Sequence, residues 1–164
     1  MQREYEPLVQ EFLQLLREQF GDRLVALLVF GSVARGTARP DSDVDLCLVI
    51  RDLPTSRYRR HQSLSPVLEE LRRAPAYTGL AQLGYTPDIA AILYTPEEIV
   101  ETKPIFLGMV EDGVMIVDDG TLGGKLASLR ARLRELGSRK VTLDDGTSYW
   151  LLKPDLKFGD LVEL

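Results

Sequence analysis

Asp43 and Asp45 are separated by a single valine at the start of an otherwise apolar run, SDVDLCLVI over residues 42–50. On a strand, alternate side chains share a face, so the two carboxylates stand side by side. Like charges that close repel unless a proton or a cation neutralises them. The run passes straight into LCLVI, so the pair cannot both swing into water, and a divalent cation is the direct solution. Oxygen-only ligands favour Mg²⁺ or Mn²⁺ over zinc, and Mg²⁺ commonly shares its shell between carboxylates and substrate phosphates.

A Gly-Ser turn, Gly31 and Ser32, ends the apolar run RLVALLVF just upstream. Gly31 lets the backbone approach a ligand with no Cβ in the way. Ser32 offers a hydroxyl and opens a helical turn whose free N–H groups attract anions. Arg35 lies one turn further and adds charge for phosphate. A phosphate cradle beside a metal-binding carboxylate pair outlines a nucleoside triphosphate site. Either half alone is a common feature of strand ends; the two at this spacing are specific.

GSVARG over 31–36, followed by SDVDL over 42–46, resembles the signature of the DNA-polymerase-β-like nucleotidyltransferases. The nearest pattern is that of the minimal nucleotidyltransferases, G-S-x-A-R-G then S-D-x-D-L; Gly31, Ser32, Ala34, Arg35, Gly36, Ser42, Asp43, Asp45 and Leu46 all match. The resemblance implies nucleotide binding by Gly31, Ser32, Arg35, Gly36 and Ser42, and catalytic and metal-binding roles for Asp43 and Asp45. It also implies a third carboxylate on a neighbouring strand. Asp88, just ahead of IAAIL, is the best candidate; Glu69 and Glu70 compete but read as exposed helix positions. On the same resemblance, Asp43 and Asp45 each bind two Mg²⁺ ions (Mn²⁺ is the alternative). Asp88 binds only the catalytic ion and helps deprotonate the acceptor hydroxyl. A nucleoside monophosphate, AMP from ATP or its counterpart from another NTP, then passes in line to that hydroxyl and pyrophosphate leaves.

Less specifically, the resemblance extends over the preceding helix and the strand at 86–94. The C-terminal third lies outside the shared core, although its YWLLKPD stretch resembles uncharacterised prokaryotic members. With 164 residues, the added helical substrate domain of aminoglycoside nucleotidyltransferases, poly(A) polymerases or CCA-adding enzymes is not expected. The acceptor is therefore expected on another macromolecule, and resemblance to antitoxin-type enzymes points to a HEPN-domain toxin as partner. Two other readings stand beside this one. A non-catalytic nucleotide-binding module could act as an antitoxin by contact, though it would not need paired acids. A small-molecule nucleotidyltransferase would need a pocket completed by a dimer mate.

The elements that must position these residues follow from hydrophobic patterning. The expected fold class is α+β, a small mixed β-sheet flanked by helices, in the polymerase-β-like nucleotidyltransferase fold. Tyr5, Leu8, Val9, Phe12, Leu15, Leu16 and Phe20 recur at helical spacing, with Gly21 as the cap. Residues 23–30 read as a buried central strand and 42–50 as a second. Residues 55–74 are helical in pattern, with Pro66 marking a second start after Ser65. TPDIAAILY at 86–94 reads as a third strand. TPEE at 95–98 starts a helix by its capping signals, 104–112 is helical again, and GVMIVDD is a short fourth strand. Leu122, Leu126, Leu129, Leu133 and Leu136 form an amphipathic helix stopped by Gly137. A hairpin around Asp145-Gly146 and an extended tail complete the chain.

With 164 residues, 45% hydrophobic and 27% charged, the expectation is one soluble domain over 1–164. Its core is expected over about 1–118, with the C-terminal helix, hairpin and tail over 119–164. A net charge of -5 argues against a general nucleic-acid-binding surface. The single cysteine, Cys47, reads as a buried strand thiol, excludes an internal disulfide and suits a reducing cytoplasm. The first residues are charged, so no signal peptide is expected, and no run is long enough to span a membrane. His61, in RYRRH, and Arg72 and Arg73 read as a solvated helix face. Lys125, Arg130, Arg132, Arg134, Arg139 and Lys140 are accompanied by one acid, Glu135. That segment could serve phosphates, RNA or an acidic partner, but a solvated face is the commoner reading.

Overall fold

The computed structural model describes residues 1–144, 147–157 and 162–164. The first apolar stripe forms α1 (Glu6–Phe20), which buries Leu8, Val9, Phe12, Leu13, Leu16 and Phe20. Leu15 lies at the margin of the stripe and only packs against the core from its edge. Gly21 stops the helix at φ 54°, a conformation that suits glycine.

Four strands form a mixed sheet: β1 (Leu24–Phe30), β2 (Val44–Ile50), β3 (Ile89–Tyr94) and β4 (Val114–Asp118), in the order β3-β2-β1-β4. β1 runs antiparallel to both β2 and β4, and β2 runs parallel to β3. The central pair, β1 and β2, is buried on both faces, as their unbroken apolar runs require. A short helix, α2 (Gly31–Arg35), leads from β1 toward β2 and ends at Gly36 in the left-handed region.

One core lies between a sheet face carrying Leu27, Val29, Val44, Leu46, Leu48 and Ile50 and the helices α1, α3 (Arg57–Arg73) and α4 (Pro75–Gln82). The other face, with Leu28, Phe30, Cys47 and Val49, is covered by α5 (Ile105–Asp112) and α6 (Thr121–Glu135). Cys47 is fully buried, and burial pushes its thiol pKa up to about 12, so it packs and is no nucleophile. β5 (Arg139–Thr142) and β6 (Ser148–Leu151) pair antiparallel as the expected hairpin; its turn, Asp145-Gly146, lies outside the described residues. Trp150 packs against the α5/α6 core, in keeping with a packing role. The tail bends at Leu152 and turns at 154–155, so it is not extended there; residues 158–161 of the expected extended tail lie outside the described residues.

Two helix boundaries differ from expectation. Pro66 does not start a new helix; α3 runs through it. Pro66 is on the solvent side, where the carbonyl it cannot serve meets water, while Leu64, Val67 and Leu71 hold the opposite face in the core. The capping signals of TPEE do form a reciprocal pair: Thr95 N–H donates to the Glu98 carboxylate at 2.9 Å and Glu98 N–H to Thr95 Oγ1 at 3.4 Å. Yet residues 96–100 form only turns. Ile99, Val100 and Thr102 propagate a helix poorly, and Pro104 closes the segment. The third and fourth strands also begin later and run shorter than their apolar patterns. No helix among the described residues is long and apolar enough to cross a membrane.

Candidate active site

The Gly-Ser turn and the aspartate pair meet because β1 and β2 are antiparallel neighbours. Phe30, the last residue of β1, lies opposite Asp45, so the turn that follows Phe30 is carried against the Asp45 side chain. Gly31 has φ +70°, and a Cβ there would stand 2.1 Å from Asp45 Oδ2. Gly31 is thus required by its conformation, and a side chain there would also displace the Asp45 carboxylate. Asp45 is half-buried and Asp43, just before β2, is exposed. Val44 between them turns to the α1 core, which leaves the two carboxylates on the opposite side. Burial raises the Asp45 pKa, the Asp43 charge raises it further, and Arg35 partly offsets both.

The other motif residues have more local roles. Gly36 has φ +76° with nothing near a prospective Cβ, so its role is to end α2. Ser42 Oγ accepts from Arg39 N–H at 2.9 Å and Ser42 N–H donates to the Arg39 carbonyl at 3.0 Å, closing the loop that precedes β2. Arg35 pairs with Asp112 at the end of α5, Nη1 to Oδ2 3.1 Å. Ser32 is the second residue of α2 and is half-buried beside Gly31.

Asp88 is brought to the right level but faces away. Val44 pairs with Ile89, and Val44 N–H donates to the Asp88 carbonyl at 2.7 Å, so Asp88 and Asp43 sit at adjacent strand ends. The Asp88 carboxylate, however, accepts from its own neighbour's Ile89 N–H at 3.0 Å and lies 3.8 Å from Arg72 on α3. Among the described residues no three such side chains converge as a ready metal group. Glu69 and Glu70 are exposed on α3, and Glu70 pairs with Arg73.

Three features carry no sequence signal. Gln2 clamps α2 and the loop after it: its N–H donates to the Val33 carbonyl at 2.9 Å and its side-chain oxygen accepts from Ala38 N–H at 3.0 Å. Arg60, 6% exposed, makes a two-armed pair with Glu98 at 2.6 and 2.8 Å. A groove of about 350 Å³ runs from Asp45 past Ala90 and Ile92 to His61. His61 is exposed, as expected, but lines this groove. Within the basic C-terminal segment, Lys125 holds the Val100 carbonyl, Arg130 the Val110 carbonyl, and Lys140 pairs with Glu111. These cations tether neighbouring segments and do not form a free basic face.

Comparison with known proteins follows the same geometry. The nucleotidyltransferase domain family matches residues 9–107. A protein of Methanocaldococcus jannaschii, named as a candidate protein adenylyltransferase, is 35% identical over 114 residues, 68% of this chain and 70% of that protein. The solved structure of spectinomycin adenyltransferase AAD(9) from Enterococcus faecialis superposes with a TM-score of 0.50 at 12% identity, over 69% of this chain and 56% of that one. A chain from a Shewanella oneidensis HEPN toxin complex with its MNT antitoxin gives a TM-score of 0.44 at 14% identity, over 79% of this chain and 89% of that one.

Proposed function

The chain belongs to the nucleotidyltransferase domain family, as a minimal nucleotidyltransferase, and we propose that it transfers AMP from ATP to a hydroxyl on another protein. The observation that carries this reading is the fit of Asp45 onto Gly31. A turn that needs glycine abuts a carboxylate whose neighbour is a second carboxylate, which is the arrangement a triphosphate and its cation require. Asp43 and Asp45, oxygen donors on one side of β2, suit two Mg²⁺ (or Mn²⁺) ions, which when bound would neutralise the acids and the phosphates together.

The chain's own groups then have separate tasks. The backbone at Gly31 and the Ser32 hydroxyl seat the phosphates, while Gly36 and Ser42 fix the loop that holds them. Arg35, anchored by Asp112, contributes positive potential to the same end. The acceptor oxygen attacks the α-phosphorus as the bond to the bridging β-phosphate oxygen breaks, and pyrophosphate leaves with that electron pair. Asp88, released from Ile89 N–H, takes the acceptor's proton and completes the acidic set. A protein acceptor is supported by the name of the Methanocaldococcus relative. The motif's resemblance to antitoxin-type enzymes favours a HEPN-domain toxin.

The test is incubation with α-labelled ATP, Mg²⁺ and the product of the neighbouring reading frame. Label on that protein, lost when Mg²⁺ is chelated, is the expected result. A tight complex that never acquires label would replace transfer with inhibition by contact.

A further inference from the structure

β3 is an edge strand of the sheet, and the middle of its outer edge is open. Val44 N–H donates to the Asp88 carbonyl in the parallel register with β2. The main-chain groups of Asp88, Ala90, Ile92 and Tyr94 therefore face β2, and those of Ile89, Ala91 and Leu93 face outward. Two outward groups are held: Ile89 N–H by the Asp88 carboxylate at 3.0 Å, and the Leu93 carbonyl by Arg60 Nη1 at 3.1 Å. The Ile89 carbonyl, both groups of Ala91 and Leu93 N–H have no partner among the described residues. An unpaired strand edge is a template for another strand.

This edge opens into a channel that leads to the catalytic acids. The groove at Asp45 and a second cavity of about 450 Å³ share His61, Ala91 and Ile92. Leu64 and Leu68 wall one side and Ile105 the other, and Ala90 and Ala91 leave the floor low. The far end is cationic. Arg60 is neutralised by Glu98 and Lys103 by Glu101. Arg57, which lines the second cavity and is exposed, makes no ion pair among the described residues. The Gly31 cradle flanks Asp45 on its β1 side and this channel on its β3 side. An in-line displacement needs the leaving and attacking oxygens on opposite sides of the phosphorus.

We propose that the β3 edge binds an extended segment of the acceptor protein as an added strand, with acidic residues beside Arg57. The added strand presents its hydroxyl to Asp45 along the channel. Outward N–H and carbonyl groups alternating at strand spacing are matched by a peptide backbone and not by a nucleic acid or a small metabolite. Walls on both sides of the edge would take the alternating side chains of such a strand. This inference rests on protein-directed AMP transfer and specifies how the acceptor is seated.

The probe is a short dye-labelled peptide of alternating valine and glutamate around one tyrosine, used with the full chain. Binding is read by fluorescence anisotropy and transfer by labelled ATP. Two companions carry N-methyl groups on alternate amides, or lysine in place of glutamate. The parent peptide should bind, and each companion should bind about tenfold more weakly. Ala91→Pro removes an outward N–H and places a ring on that edge, so it should weaken the parent by at least a similar factor while ATP affinity stays as in wild type. If that variant fails to fold, Arg57→Glu serves instead and should shift the preference toward the lysine peptide. No binding by the parent, or indifference to N-methylation, overturns the added strand. Backbone-sensitive binding without label would keep the edge and remove the transfer function. Label on all peptides alike would keep transfer and remove the edge.

Discussion

The two flanks of Asp45 are built differently. On the β1 side the turn is closed and specified: Gly31 at φ +70° lies against the carboxylate, and Gln2 ties α2 and the loop after it. On the β3 side Asp88 is turned outward to Ile89 N–H and Arg72. The strand edge next to it is unpaired along its middle. Fixed groups placed before reaction suit a ligand of constant shape, such as the triphosphate. An unfinished flank suits a partner that brings its own hydrogen-bonding groups. On the proposed function, the nucleotide half would be preorganised and the acceptor half completed by the acceptor.

The largest effect should come from filling the closed flank. Gly31→Ala places a Cβ 2.1 Å from Asp45 Oδ2 at a positive φ. Strain and displacement together should cost about 3 kcal/mol, a fall of about 6–12 °C in melting temperature for a chain of this size, and should abolish ATP binding. Gly36→Ala is the matched control. It has φ +76° but open space, so only the conformational cost remains, about 1 kcal/mol. Thermal unfolding and calorimetry with Mg-ATP compare the two. Equal losses would mean that backbone conformation alone matters and that the fit onto Asp45 is incidental.

Asp88→Asn probes the open flank. Its carboxylate is remote from the phosphate cradle as the protein stands, so ATP affinity should change little. Transfer should fall by at least about a hundredfold, the scale of a lost general base. The Arg72 contact is exposed and its loss should barely alter stability. Glu70→Gln, on the exposed face of α3, should behave as wild type. Normal transfer by Asp88→Asn would show that the third acid lies elsewhere and that its outward pose is its resting function.

The same contrast explains what the sequence made legible. The GSVARG and SDVDL stretches were readable because their chemistry is local: a turn that needs glycine and two acids at strand spacing. Antiparallel pairing of β1 and β2 then brings them together with little freedom left. The β3 flank was not readable because its properties depend on what is absent: a missing neighbour strand, and a carboxylate that can satisfy its own backbone. Arg60 shows the limit from another side. In RYRRH it looks like its neighbours, yet its place on α3 carries it to 6% exposure and a pair with Glu98. The capping signals of TPEE point to a helix start, but the structure has only turns at 96–100, because a cap starts a helix only if the residues after it propagate one.

That ion pair gives a smaller test of the open flank, since it holds the 95–100 turns against α3 and the end of β3. Hydrogen bonding to Arg60 is the main cause that lowers the Glu98 pKa. A lowered carboxylate contributes stability above its unfolded pKa and loses it as pH falls through the folded value. Solvent screens this carboxylate, 40% exposed, so Glu98→Gln should cost only about 1 kcal/mol near neutral pH. The gap from wild type should close in acid, below the ordinary glutamate range. A gap independent of pH would assign the cost to packing and not to charge.

The smallest effect should come from Asp45→Asn, and its sign is opposite. Burial, then the Asp43 charge, raise the Asp45 pKa above its unfolded value. An acid raised on folding penalises the folded state once the unfolded chain ionises. Stability is thus lost as pH rises from the unfolded to the folded pKa, and the full penalty remains above it. Asn removes the charge while keeping the shape, so the metal-free variant should melt about 1–3 °C higher than wild type at neutral pH, a change of under about 1 kcal/mol. The gain should shrink as pH falls into the ordinary aspartate range, where wild type too is protonated. With Mg-ATP present the order should reverse, because wild type gains ligand stabilisation that the variant has lost. Melting curves across pH, with and without Mg-ATP, check both halves. A variant less stable than wild type in the absence of metal would mean that Asp45 is held by structural partners. The repulsion between Asp45 and Asp43, which a bound cation would relieve, would then not be what this site stores.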